Sequence, residues 1–354
     1  MNRRNLVAGA ALALAALSLA GCGLQQPSGG ETEGGGGDGP TGSGTVTIYS
    51  PRPSAITDHI IEDFEEQSGY TVQLVTLGAA EVADRIRAEG ANTQADVWWG
   101  GTPSLFDAAA AEDLIEPWPD DILDRVPEEF HGQDDKWVAE MQQLQLIAYN
   151  SDMIDEADLP ADWENLTDSE YADQILIRDV AASGTMRGVY SALIYQHFAE
   201  DGAPDAGYDY LRALDANTKD YAANPEDLYL RLERQEAALT IWNHQDILAQ
   251  AAEGAAFAIH MPESGAPINL DGIAKVNGAP NPEGAEAFAD YIFSDETQTW
   301  LAENAFQIPT IEIEAEPEWL SEIEIVEFPV DRAVIAEHEQ EWIDYWLENI
   351  KNQG

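Results

Sequence analysis

Between Thr45 and Ala111, short β-type runs alternate with amphipathic helical stretches, and this alternation limits the possible folds more than any other feature of the chain. Thr45–Ser50 reads as a strand. Ala55–Gly69 follows as a helix with Ile56, Ile60, Ile61 and Phe64 on one face and Gly69 at its end. Thr71–Leu77 is a second strand, Glu81–Gly90 a second helix, Asp96–Trp99 a third strand closed by Gly100-Gly101, and Pro103–Ala111 a third helix. Such a series packs as a parallel sheet with helices on its faces. Trp98 and Trp99, adjacent on one strand, are expected in the core on opposite faces. Further strands are expected over Gln174–Val180, Ala238–Trp242, Ala255–Met261 and Ile268–Lys275, with a helix over Thr185–Ala199. At 354 residues, two α/β lobes are the simplest packing.

Ligands of open α/β sheets sit beyond the carboxyl ends of the strands. That rule selects Ser50-Pro51-Arg52, Gly78-Ala79-Ala80, Gly100-Gly101-Thr102, Ala182-Ser183-Gly184-Thr185 and Trp242-Asn243-His244.

The charge narrows the partners. Sixty-seven Asp and Glu face 16 Lys and Arg, a formal net charge of −51, spread along the chain rather than gathered in a tail. Nucleic acid is excluded as a broad partner, because phosphate binding needs Lys and Arg. The acidic runs read as solvated faces and, together, as adaptation to a very salty medium. No Gly-x-Ser-x-Gly elbow or His-Glu-x-x-His motif occurs, and the six histidines show no ligand-like spacing, so the chain does not read as an enzyme and no cofactor is expected.

Residues 1–21 read as an export signal: Arg3 and Arg4 precede a short apolar run, Leu6–Ala20, that ends in small residues. Asn2-Arg3-Arg4-Asn5-Leu6-Val7 loosely resembles a twin-arginine signal. Leu19-Ala20-Gly21-Cys22 resembles a lipobox, which implies cleavage before Cys22 and a lipid on its sulfur. Residues 22–44 then form a flexible Gly-rich tether with a reach of roughly 25 Å. Asn165-Leu166-Thr167 is a glycosylation sequon, meaningful where the host glycosylates exported proteins. Pro329–Lys351 reads as an amphipathic helix, with Ile335, Trp342, Trp346 and Ile350 at helical spacing, packing on a lobe.

From Thr45 to Lys351 the chain resembles the substrate-binding proteins of ABC importers, in particular the iron(III)-type extracellular solute-binding group. The resemblance rests on Val46–Ser50, Ala95–Gly101, Leu114-Ile-Glu-Pro-Trp118, Ala182–Thr185, Gly278–Glu283, Phe293–Gln298 and Ile308-Pro309, in that order. It implies a type II periplasmic-binding fold, with residues 45–145 and 268–310 in one lobe, 146–267 in the other, and 311–354 as a C-terminal segment on the lobes. Leu144–Asn150 and Ile268–Lys275 would carry the chain between lobes. It also implies a monomeric binding subunit that delivers a small-molecule solute to an ABC permease, held to the outer face of a membrane by the lipid anchor.

Ferric-binding members of that group use a His after the first strand and a Tyr pair in the second lobe. Here those positions read Pro51-Arg52-Pro53 and Trp242-Asn243-His244-Gln245, and no Tyr-Tyr dipeptide occurs. An organic anion, a phosphonate or phosphate ester, suits the residues better. Ser183, Gly184 and Thr185 would offer a capped helix start with exposed amides. Arg52 would contact the anion bidentately, or pair with local acid as a surface residue. Ser50, Gly101 and Thr102 would line the first lobe, Thr102 with its hydroxyl and amide or simply as a helix cap. Trp242 and Asn243 would line the second lobe, with Trp242 stacking on the ligand or lying in the core. His244 would be a metal ligand only on the ferric reading, and otherwise a polar residue starting a helix. A secreted hydrolase is the distant alternative.

The charge yields a first prediction. Self-repulsion among carboxylates is screened by salt, so the denaturation midpoint should rise steeply between dilute and molar KCl. A flat profile would remove the reading of salt adaptation.

Overall fold

The alternation appears from the first strand onward. A computed structural model describes residues 42–351, apart from the side chain at position 201; Cys22 and the signal segment lie outside these residues. β1 (Thr45–Ser50), α1 (Ser54–Ser68), β2 (Thr71–Thr76), α2 (Ala79–Glu89), β3 (Val97–Trp99) and α3 (Pro103–Ala111) follow one another. Short pieces β4 (Ile115–Glu116) and α4 (Asp120–Leu123) lead into the long strand β5 (Trp137–Asn150). A second series follows: β6 (Ile175–Arg178), α5 (Gly184–Asp201), α6 (Asp205–Asn217), β7 (Thr218–Ala222), α7 (Pro225–Glu233), β8 (Leu239–Asn243), α8 (His244–Ala252) and β9 (Phe257–His260). The chain returns through β10 (Ile268–Val276), α9 (Pro282–Ile292), α10 (Asp295–Ala305) and β11 (Ile308–Pro309), and closes with α11 (Glu318–Ser321) and α12 (Arg332–Asn349).

The strands join in the order β2-β1-β3-β10-β5-β8-β6-β7. β1 is parallel to β2 and β3, and β6 is parallel to β7 and β8. β5 is shared by the two halves. Its residues Trp137–Leu144 pair with β10, and Gln145–Tyr149 pair with β8, both antiparallel. The change of partner from β10 to β8 falls between Leu144 and Gln145, at the start of the Leu144–Asn150 segment that the resemblance names as a crossing.

Register fixes where the strand ends meet. Trp99 lies opposite Ile273, which lies opposite Val138, while Asn243 lies opposite Gln145. The carboxyl ends of β1 and β3 thus point at those of β8 and β6 across about seven residues of β5, roughly 23 Å at ~3.3 Å per residue.

Three apolar clusters hold this frame. One face of the first half packs Val46, Ile60, Phe64, Trp99 and Phe288; the other packs Tyr49, Val82, Trp98, Phe106 and Trp137. Trp98 and Trp99 fall on opposite faces, as strand alternation predicts. The third cluster surrounds the second half and takes in Trp342, Ile343, Trp346 and Ile350, so α12 covers α5. Arg187 of α5 and Glu339 of α12 pair at 2.8 Å beside that contact. Gly207 lets α5 and α6 approach closely, because a Cβ there would lie 2.8 Å from the Ile194 Cα. Among the described residues no helix is long and apolar enough to cross a membrane.

The halves are stitched by the start of α8. Asn243 caps that helix, its Oδ1 accepting from the Asp246 amide at 2.8 Å. His244 is wholly buried. Its Nδ1 accepts from the Leu144 amide at 3.1 Å, which places the ring proton on Nε2, donated to the Phe306 carbonyl at 2.9 Å. Gln245 Nε2 donates to the Ala305 carbonyl at 2.6 Å. Ala305 and Phe306 end α10, where carbonyls lack intrahelical donors. The first turn of one helix therefore caps the last turn of another from the opposite half.

Burial pushes the His244 imidazole down to about 4, against the bond that its Nε2–H makes to the Phe306 carbonyl. The unfolded chain binds this proton more readily than the folded one. The stabilisation is therefore complete above about pH 6.5 and is lost as pH falls towards 4, a contribution of about 3 kcal/mol. Urea midpoints at pH 7.5 and 4.5 should fall further in the wild type than in His244→Gln, since the carboxylates titrate in both. An equal fall in the two proteins would show that His244 carries no such linkage.

Candidate functional site

The strand ends that face each other are built differently in the two halves. In the first half, Ser50 ends β1 with its side chain fully buried, Oγ donating to the Trp99 carbonyl at 2.6 Å and accepting from the Arg52 amide at 3.1 Å. The hydroxyl is occupied in tying β1 to β3. Arg52 is held still more firmly. It is neither a free guanidinium nor a surface residue: it is 7% exposed, and its Nη2 meets Glu140 Oε2 at 2.7 Å and Asp271 Oδ1 at 2.8 Å. Its partners come from distant strands, Glu140 from β5 and Asp271 from β10. The guanidinium also lies 4.9 Å from the Trp99 ring centroid. The Trp99 Nε1–H donates to the same Glu140 oxygen. Gln307, with its amide turned to suit both neighbours, donates to Glu140 Oε1 at 3.1 Å and accepts from Arg52 Nη1 at 3.2 Å.

Burial pushes the Glu140 carboxyl up to about 7; Arg52 pulls it down and Asp271 raises it further. Gly100 has φ near +107°, and a Cβ there would sit 2.9 Å from Pro51 Cδ, so only glycine fits this turn. Gly101 is buried and spends its amide on Asp271 Oδ1 at 3.1 Å, not on a ligand. Thr102 is exposed at the N-cap of α3, with no side-chain cap bond. Its Oγ1 lies 3.1 Å from Ser104 Oγ.

In the second half, Trp242 and Asn243 are both 4% exposed. Trp242 Nε1 donates to Tyr229 Oη and to Asp246 Oδ2, each at 2.9 Å, so the indole is fixed in the core rather than offered for stacking. Asn243 Nδ2 donates to the same Asp246 oxygen at 2.9 Å, and its amide is used at both ends. Both ring nitrogens of His244 are bonded to backbone, which leaves neither for a metal.

The start of α5 is different. Ser183 is its N-cap, Oγ accepting from the Met186 amide at 3.2 Å. Gly184 is exposed, Thr185 is half-buried, and a Cβ at Gly184 would meet nothing within 4 Å. The first amides of this 18-residue helix have no intrahelical acceptor and carry its positive dipole end.

Arg178, missed in the sequence reading, ends β6 beside this turn. Among the described residues three cations are buried: Arg52, Arg178 and Lys275. Arg52 and Lys275 pair with carboxylates. Arg178 bonds only to carbonyls, those of Asp179 and Ala222 at 3.3 Å and Ala182 at 3.4 Å, all long for such bonds. The adjacent Asp179 carboxylate is taken by Lys351 at 2.6 Å and the Ala182 amide at 3.1 Å. A buried guanidinium and a helix start therefore meet at one strand end. The signal was present in the sequence: Arg178 closes the apolar run Ile175-Leu-Ile just before Ser-Gly-Thr.

Two surface pockets lie elsewhere. One of about 500 Å³ is lined by Leu146, His260, Met261 and Ile323, and one of about 560 Å³ by Arg125, Val126, Phe293 and Ile311. Neither includes any of the facing strand-end residues. Among the described residues no group of three or more His, Cys, Asp or Glu is placed to hold a metal ion.

Comparison with known proteins places the fold and the family. The chain is 26% identical over 294 residues to iron uptake protein A2 of Synechocystis, spanning 76% of this chain and 79% of that one. It is 28% identical over 253 residues to a Salmonella typhimurium periplasmic protein assigned by name to 2-aminoethylphosphonate binding, spanning 70% and 71%. Its fold matches apo ferric ion-binding protein A of Pasteurella haemolytica with a TM-score of 0.72 at 21% identity, over 86% of this chain and 97% of that one. It also matches the periplasmic binding protein AfuA of Actinobacillus pleuropneumoniae, solved with fructose-6-phosphate, with a TM-score of 0.68 at 23% identity, over 88% and 100%. Residues 92–327 match the family model for bacterial extracellular solute-binding proteins, and with its type II periplasmic-binding fold the chain belongs to that family.

Proposed function

We propose that this protein is the monomeric, lipid-anchored binding subunit of an ABC importer, and that its solute is a small organic anion bearing a phosphonate or phosphate ester. The observation that carries the anion reading is Arg178, a buried guanidinium in no ion-pair contact among the described residues, though within the field of the Asp179 carboxylate, beside the open helix start at Ser183-Gly184-Thr185. In a chain of net charge −51, an anion needs a local positive field, and helix amides with a guanidinium in a water-poor cleft provide one. Closure of the two halves then follows from contacts that both make with the solute only in the closed form. Thr102 remains a contact from the first half, and Thr185 adds a hydroxyl from the second. The ferric reading of the relatives lacks its phenolates here, since Trp242 and Asn243 stand where a Tyr pair would.

Calorimetric titration with ethylphosphonate and glycerol 3-phosphate at constant high salt tests this. Arg178→Gln and Ser183→Ala should each weaken the better probe about ten- to hundredfold, the cost of losing one hydrogen-bond donor to a charged group, about 1.5–3 kcal/mol. Tight Fe(III) binding with a visible charge-transfer band, unchanged in either variant, would overturn the anion reading.

The anchor is tested separately. Cys22→Ser should leave the folded protein intact and release it from membranes to the medium on cell fractionation. Retention equal to wild type would remove the lipid from the proposal.

A further inference from the structure

The charges around Arg52 do not balance. One guanidinium nitrogen, Nη2, serves two carboxylates: Glu140 at 2.7 Å and Asp271 at 2.8 Å. With both ionised, the three groups sum to one negative charge. Glu140 is wholly buried, and its other neighbours, the Trp99 indole N–H and the Gln307 amide, are neutral. Asp271 is one-third exposed. Both of its bonds, to Arg52 and to the Gly101 amide, fall on Oδ1, so Oδ2 takes part in neither. The excess charge is therefore reachable only through Asp271, at the lip formed by Gly101 and the exposed Thr102.

A solute group arriving at that lip meets a carboxylate whose counter-ion is already shared. A negative group would be repelled. A positive group would complete a two-cation, two-carboxylate arrangement, in which every buried charge has an opposite partner. We propose that Asp271 receives a positively charged group of the solute, an ammonium above all, and so selects a zwitterion whose anionic end lies at the start of α5.

Burial, with Asp271 adding to it, lifts the Glu140 carboxyl to about 7 in spite of Arg52, so proton uptake there competes with the cation proposed here. The arrangement also explains why Arg52 cannot serve an incoming anion: withdrawing it would leave Glu140 buried and uncompensated. The placement of the anionic end rests on the function proposed above; the recognition of the cationic end rests on Asp271 alone.

Two probes that differ only in the amine separate these parts. 2-Aminoethylphosphonate and ethylphosphonate are titrated by calorimetry into the full-length protein at one pH and high salt. Wild type should bind the amine-bearing probe at least tenfold more tightly. Asp271→Asn should abolish that preference. Equal binding of the two probes by wild type would overturn the proposal while leaving the anion reading standing, and needs no variant to fold. A preference that survives in folded Asp271→Asn would overturn the assignment to Asp271. Binding of neither probe would overturn the anion reading and this proposal with it.

Discussion

The sharing of Arg52 between Glu140 and Asp271 is the constraint on which the rest of the structure turns. Burying a carboxylate costs several kcal/mol unless a cation and further donors compensate it. This chain has few cations to spend, and one of them is placed where β5 and β10 run side by side, at the end of β1 and β3. Through Ser50, Trp99, Gly101 and Gln307 the same network reaches the β1 loop, the β3 loop and the segment after α10. The crossings between the halves leave the first half at this point. The ion cluster therefore ties the first half together where the chain crosses to the second.

The second half solves the same shortage of positive charge with backbone dipoles. α5, α7 and α8 begin at Ser183, Asn224 and Asn243, each with a side-chain cap and each just beyond a parallel strand end. The start of α8 is consumed in stitching the halves, through His244 and Gln245 to the last carbonyls of α10. Asp246, in its first turn, gathers Trp242, Asn243 and Tyr229 and closes that turn to an anion. The α5 start keeps no acid in its first turn and has Arg178 beside it. Among neighbouring helix starts, chemistry and not position decides which one is open to a solute.

Much of the fold was legible in the sequence because its signals are local. The first three strands and helices have clear periods, and Gly69 ends α1 in the left-handed region, as expected. β7 was missed for a physical reason. Thr218-Lys-Asp-Tyr-Ala222 is an edge strand whose centre, Lys219-Asp220, is polar and exposed, so it has no apolar alternation to read. α6 and α7 around it were passed over as well, although Asn224-Pro225 is a strong helix start.

The site was less legible because its logic is long-range. Arg52 was visible as a rare cation at a strand end, but its partners lie 88 and 219 residues away. Glu140 was hidden by the very abundance of acids that makes each one uninformative alone, although it interrupts the apolar run Trp137-Val-Ala.

That abundance also shapes how such a protein can select a solute. On a surface this negative, long-range attraction favours cations of every kind, and salt screens it within about a Debye length, ~3 Å at 1 M. Selectivity must then come from groups removed from bulk screening. The two strand-end clusters differ in kind: one holds a buried cation bonded to carbonyls, the other two carboxylates sharing a cation. They lie at facing ends of the halves, separated by the length of β5 that links them. A dipolar solute bridging them would gain from both only when the halves approach, and a singly charged ion of either sign would gain from one. On the function proposed above, local charge arrangement, rather than net charge, would couple recognition to closure.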